Sequence, residues 1–177
     1  MNKLRFSLLL ISSLFCLSVY AEDVRVQING AVLKQSCNVK SGDLNKNIIF
    51  NDIDPQLLVS SGYSAEVNKV SIELENCTGN VANMSYMFSG VGDDTYPELL
   101  KITGKAGGSP EANARGLAIE ILDASKKALS LNKKINFSQE INTSFFTFDF
   151  YLRYKSTSQN IDAGDASALL YLDFYYE

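Results

Sequence analysis

Strict alternation of apolar and polar side chains over residues 144–154 is the feature that most constrains this chain. Phe146, Phe148, Phe150, Leu152 and Tyr154 fall on one side of an extended strand, and Thr147, Asp149 and Arg153 on the other. A period of two cannot bury one face of a helix, whereas an antiparallel strand with a dry and a wet face requires it. The same period recurs over residues 70–74 (Val70, Ile72, Leu74), 84–88 and 117–121 (Leu117, Ile119, Ile121), while helical periodicity is nearly absent. Turn-rich pieces at 77–80, 90–94, 104–110 and 156–165 separate these runs. The expectation is an all-β chain folded as a sandwich. Residues 52–64, with Pro55 and Gly62, fit neither pattern and stay unassigned.

The first residues set the compartment. Lys3 and Arg5 precede an apolar run over residues 6–19 and the small-residue pattern Val19-Tyr20-Ala21. That run is shorter than the roughly 20 residues that cross a bilayer, so residues 1–21 read as a secretory signal peptide cleaved after Ala21. Export leaves 14 basic against 20 acidic residues, a net charge of −6, which makes nucleic acid an unexpected partner. It also removes Cys16, leaving Cys37 and Cys77 as an even pair in an oxidising compartment. A disulfide between them is expected, with two buried free thiols as the alternative.

Both ends of the exported chain alternate. Val24, Val26, Ile28, Gly30 and Val32 share one side of an extended arm, and Arg25, Gln27 and Asn29 the other. Near the C-terminus, Ala168, Leu170, Leu172, Phe174 and Tyr176 alternate with Leu169, Tyr171, Asp173 and Tyr175, and the sequence ends at Glu177. A sandwich closing on such a strand is expected to leave an edge and a gap in its core. Alternation alone also fits an ordinary first strand at 24–32 and an ordinary core strand at the C-terminus.

Taken together, several residues carry a family likeness. They are the arm ending in Ile28-Asn29-Gly30-Ala31-Val32, the Cys37 and Cys77 pair with Asn76 before the second cysteine, residues 116–121 (Gly-Leu-Ala-Ile-Glu-Ile) followed by Asp123, and the penultimate Tyr176. In these the chain resembles fimbrial subunits of the chaperone-usher pathway, most closely the adaptor (minor) pilins of the type 1 fimbrial tip. The resemblance implies an incomplete immunoglobulin-like β-sandwich over residues 36–177 that lacks its last strand, with residues 22–35 as a donor-strand extension. It implies that Val24, Val26, Ile28, Gly30 and Val32 enter the groove of a neighbouring pilus subunit. It further implies that Leu170, Leu172, Phe174 and Tyr176 first pair with a periplasmic pilus chaperone, before exchange at an outer-membrane usher places the subunit in a cell-surface fimbrium.

Catalytic chemistry is sparse. The chain has no histidine, which removes the usual general base and the commonest transition-metal ligand. Asp52 with Asp54 and Asp93 with Asp94 lie beside turn residues, where aspartate serves local backbone hydrogen bonding. The stretch 104–109 lacks phosphate-loop spacing, and the lysine pairs at 126–127 and 133–134 read as solvated faces. Neither an enzyme nor a small-molecule cofactor is expected. The alternative function is a small fimbrial adhesin that binds a host glycan or protein through loops bearing Tyr63 and Tyr96, although the chain has no tryptophan for sugar stacking.

Overall fold

The alternating run expected at 144–154 is the spine of the fold. In the computed structural model, which describes residues 36–54, 56, 58 and 66–176, it forms a strand of twelve residues. Among the described residues nine strands follow one another: β1 (Ser36–Val39), β2 (Asn68–Thr78), β3 (Met84–Ser89), β4 (Leu100–Lys101), β5 (Leu117–Leu122), β6 (Ala128–Leu129), β7 (Ile135–Asn136), β8 (Phe145–Ser156) and β9 (Tyr171–Tyr176). Among the described residues helix is confined to the 3-10 turns Ser41–Asp43 and Pro110–Ala112 and to Gln56 and Leu58.

Two antiparallel sheets enclose the core. The larger has the order β1-β2-β8-β5-β4, with β6 also on β5, and the smaller has the order β7-β3-β9. The β2–β8 register sets Val70 opposite Phe150, Ile72 opposite Phe148 and Leu74 opposite Phe146, so the apolar sets of both strands point inward together. From the facing sheet come Met84, Tyr86 and Phe88. Rings interlock across the gap: Phe88 lies 4.8 Å from Phe150, Tyr86 4.8 Å from Phe148, and Phe174 5.3 Å from Phe148. Such tilted and edge-on pairs add about 0.5–1.5 kcal/mol each beyond the area they bury.

Strand β2 runs past the expected 70–74, because pairing with β8 and β1 carries it through its polar residues. Ser36 pairs with Thr78 and Asn38 with Glu75, so β2 holds one extra residue at this point, a bulge. Asn76 absorbs it at a φ of 53°, a conformation asparagine tolerates better than most residues. Cys37 and Cys77 are thereby brought to a Cα–Cα distance of 4.0 Å and are joined as the expected disulfide.

The approach to β9 is tied down at several points. The Tyr154 hydroxyl donates to the Ala166 carbonyl at 2.8 Å. Bridges join Asn113 to Asp165 and Arg115 to Asp162, and the Asp165 carboxylate accepts the backbone N–H groups of Lys105 and Ser167. Gly164 is needed here, since a Cβ at that position would sit 2.5 Å from the Ala112 carbonyl oxygen.

The outer face of the larger sheet is ionic. Glu120 on β5 is 3% exposed and accepts hydrogen bonds from Arg153 Nε at 2.7 Å and Lys155 Nζ at 2.6 Å. Burial pushes its carboxyl up, but the hydrogen bonds and charges of Lys155 and Arg153 outweigh that push, and the net shift is downward. Beside it, Asp149 accepts a hydrogen bond from Ser71 Oγ at 2.6 Å and pairs with Lys69 at 2.8 Å.

Replacing both Cys37 and Cys77 with serine opens a cross-link that spans 40 residues. The chain-entropy relation for that loop gives a loss of about 4 kcal/mol, read from urea unfolding of the oxidised wild type and the double variant. Acid sensitivity is the second expectation. Because Glu120 titrates below the ordinary 4.5 in the fold, its stabilisation is complete above that pH and is lost as pH falls through the depressed value. The stability gap between wild type and Glu120→Gln should therefore shrink on acidification, and a gap independent of pH would exclude Glu120 as a source of acid sensitivity.

Candidate functional site

A strand has two edges to hydrogen-bond, and β9 uses one. It pairs with β3 from Met84↔Tyr176 to Ser89↔Tyr171, and no strand among the described residues lies along its other edge. Leu170, Leu172, Phe174 and Tyr176 pack against the core yet are only partly buried. Their counterparts on β3, Tyr86 and Phe88, are 7% and 0% exposed. Apolar surface therefore continues past β9, with no strand among the described residues beside it.

A second partly buried apolar wall comes from residues 46–54, which form no regular strand. Ile48, Phe50 and Ile53 pack partly buried on the same core, and the Phe50 ring lies 4.6 Å from that of Tyr154. Ile49, pointing the other way, is 80% exposed.

The topology names what is missing beside β9. Lettering β1, β2, β3, β5, β8 and β9 as A to F gives one sheet in the order A-B-E-D and another containing C-F. A constant-type immunoglobulin domain has sheets ABED and CFG. Position G, next to β9, holds no strand among the described residues.

The two ends of the site differ. At the Tyr176 end, the hydroxyl is buried without a hydrogen-bond partner in bonding geometry. Burial raises its pKa, and the nearby Cys37 backbone amide opposes part of the rise. The site thus ends beside the disulfide. At the Leu170 end lies the tethered segment that Tyr154 and Asp165 hold.

Of the residues singled out from sequence, Leu170, Leu172, Phe174 and Tyr176 lie together on the inward side of the strand. Cys37 and Cys77 are bonded at one end of the site. Val24, Val26, Ile28, Gly30, Val32 and Tyr63 lie outside the described residues. Tyr96 is 43% exposed in the loop after β3. Turn chemistry occupies the acids nearby: Asp93 Oδ1 accepts the backbone N–H groups of Thr95 and Tyr96, Asp94 pairs with Lys101, and Asp54 accepts from the Gln56 backbone. Sequence reasoning passed over Ile48, Phe50 and Ile53. The apolar spacing of 48 and 50 was a signal for them, but Asn51 and Asp52 break its phase before Ile53.

Known proteins resemble this chain in sequence and in fold. A family model described as "Fimbrial protein" matches residues 26–177. The fimbrial-like protein YcbU of Escherichia coli strain K12 is 30% identical over 157 residues, which cover 88% of this chain and 86% of that protein. The S-fimbrial protein subunit SfaG of Escherichia coli O6:K15:H31 is 26% identical over 166 residues, 93% of this chain and 90% of its own. In fold, the P pilus rod subunit PapA matches with a TM-score of 0.61 at 18% identity, over 80% of this chain and 99% of that one. An immunoglobulin-like sandwich, a family match across most of the sequence and a relative of this similarity establish that the chain belongs to the fimbrial protein family, whose members are fibre subunits and not enzymes.

Proposed function

We propose that this chain is a minor or adaptor subunit of a fimbrium, and that it joins its neighbours by giving and receiving one β-strand. The observation that carries the proposal is β9, an inward-facing core strand whose outer edge has no partner among the described residues and whose apolar side chains remain partly exposed. Residues 1–21 direct export, residues 22–35 are the donor arm, and residues 36–177 are the pilin domain. A periplasmic chaperone first lends a strand alongside Leu170, Leu172, Phe174 and Tyr176. At an outer-membrane usher the arm of the next subunit replaces that strand, and the fibre reaches the cell surface, where it serves adhesion.

Magnitudes favour a strand over a smaller ligand. Burying Val24, Val26, Ile28 and Val32 at about 1.5–3 kcal/mol each yields on the order of 6–12 kcal/mol. Ordering about ten backbone residues at roughly 1–2 kcal/mol each costs a comparable amount. The balance then rests on main-chain hydrogen bonds to β9, each about 0.5–1.5 kcal/mol net, and on covering Leu172, Phe174 and Phe50 in the acceptor. Gly30 sits in the arm's inward row, where a close approach of backbones leaves no room for a Cβ.

Two measurements test this reading. Ile28→Asp should leave export intact and lower this subunit's own incorporation into fibres by more than ten-fold, counted by immunogold labelling and by subunit ratios in isolated fimbriae. Incorporation at the wild-type level would remove the arm from the mechanism. Expressed in the periplasm without a pilus chaperone, the mature chain should fail to accumulate as folded protein. A stable chaperone-free monomer with a fully protected β9 edge in hydrogen exchange would show that the sandwich completes itself.

A further inference from the structure

Exposed apolar side chains occur at both ends of the domain, placed so that they meet when one copy lends its strand to another. At one end Phe145 opens β8 and is 68% exposed, opposite Glu75. Its neighbour Ser144 accepts a hydrogen bond from the Cys77 backbone at 3.2 Å, and Cys77 is bonded to Cys37. Phe145 therefore lies at the same end of the larger sheet as Ser36, with β2 between them and about 10 Å separating the two strands.

The other patch lies where β9 begins. Leu169 is 61% exposed, Tyr171 56% and Val91 57%. Ser89 pairs with Tyr171, and continuing that register sets Val91 opposite Leu169. Gly90 keeps the two chains close, since a Cβ there would lie 3.1 Å from the Leu169 carbonyl oxygen. This is the far end of the sandwich from Phe145. Phe174 sits against Phe148 near the start of β8, whereas the Tyr154 hydroxyl reaches Ala166, ahead of β9, from near the end of β8.

The sheet fixes the direction of the added strand. A strand in position G of an immunoglobulin sheet runs antiparallel to its neighbour F, so the last residues of the arm come to lie beside the first residues of β9. Only Leu33, Lys34 and Gln35 separate Val32 from Ser36, a span of about 14 Å at full extension. The donor's Ser36 is thus held close to the acceptor's Leu169 and Tyr171, and the same end of the donor's larger sheet brings Phe145, two strands from Ser36, within reach of them. Tethering by the arm raises the local concentration to the order of millimolar, enough to populate a contact too weak to form unaided.

We infer that Phe145 of one copy packs against Val91, Leu169 and Tyr171 of a second copy of this chain, a body-to-body contact that locks the strand junction. It is a heterologous contact, so it repeats along a head-to-tail chain and favours no closed dimer. The inference rests on the strand-completion reading above, which the test separates from it.

The test uses the mature chain, residues 22–177, refolded from denaturant with or without an excess of a synthetic peptide of residues 22–35. Without peptide, head-to-tail oligomers are expected. Phe145→Ser and Tyr171→Ser should each speed their dissociation about ten-fold, and both changes in one chain should do no more than either alone. With peptide, capped monomers of wild type and variants should form equally and melt alike, because both substituted residues are solvent-exposed. Capping by the peptide with wild-type dissociation rates in the variants, or with additive effects of the two changes, overturns the contact and leaves strand completion standing. Capping without any wild-type oligomers overturns the second copy as the occupant. Failure of the peptide to cap overturns strand completion and the contact with it.

Discussion

The arrangement of this domain turns on position G beside β9, which no strand among the described residues fills. Sheets ordinarily protect an exposed edge with lysine, proline, a bulge or a covering loop, since an open ladder of backbone groups invites another chain. Over residues 168–176 β9 and its lead-in carry none of the protective residues except Asp173, and its pairing with β3 is regular from end to end. The backbone groups at the open edge can be solvated at little cost. The inward side chains cannot, and it is the partly exposed Leu170, Leu172, Phe174 and Tyr176 that make an empty position G unfavourable.

The surrounding structure keeps that position open. Left free, residues 46–54 and β9 could slide together and bury each other's apolar side chains, closing the core at the expense of the binding edge. Two anchors oppose the collapse. The Cys37–Cys77 bond fixes the root of the segment that leads to Ile48 and Phe50, and the Tyr154–Ala166 hydrogen bond with the Asp165 bridges fixes the segment entering β9. The gap is thus held by covalent and polar contacts at its ends, leaving apolar contact for whatever strand enters between them.

Sequence periodicity revealed the parts of the fold that obey a period and missed those that do not. Phe146 to Tyr154 and Leu170 to Tyr176 were legible because strand pairing forces every second side chain inward. The disulfide was legible from compartment and cysteine count. The two-residue strands β4, β6 and β7 are too short to show alternation, and the wall formed by Ile48, Phe50 and Ile53 belongs to no ladder, so its side-chain directions follow the core contour instead of a repeat. The extension of β2 was hidden for another reason. Of its last residues, Glu75, Asn76 and Thr78 are polar, and they are held in the strand by β1 across a bulge whose only sequence trace is Asn76 before Cys77.

The distribution of charge makes the middle of the larger sheet's outer face a poor surface for association. On the outer face of the larger sheet, Lys69 with Asp149, Arg153 and Lys155 with Glu120, and Lys126 over the Tyr151 ring satisfy one another within the chain. A partner covering that face would have to desolvate pairs that already have their counter-charges, and the loss of hydration would exceed any new Coulomb gain. The β9 side offers the reverse balance, with apolar surface still in contact with water and backbone groups whose bonds to solvent can be exchanged for bonds to a strand at small net cost. One face is thus electrically complete, whereas the β9 edge has no strand beside it among the described residues.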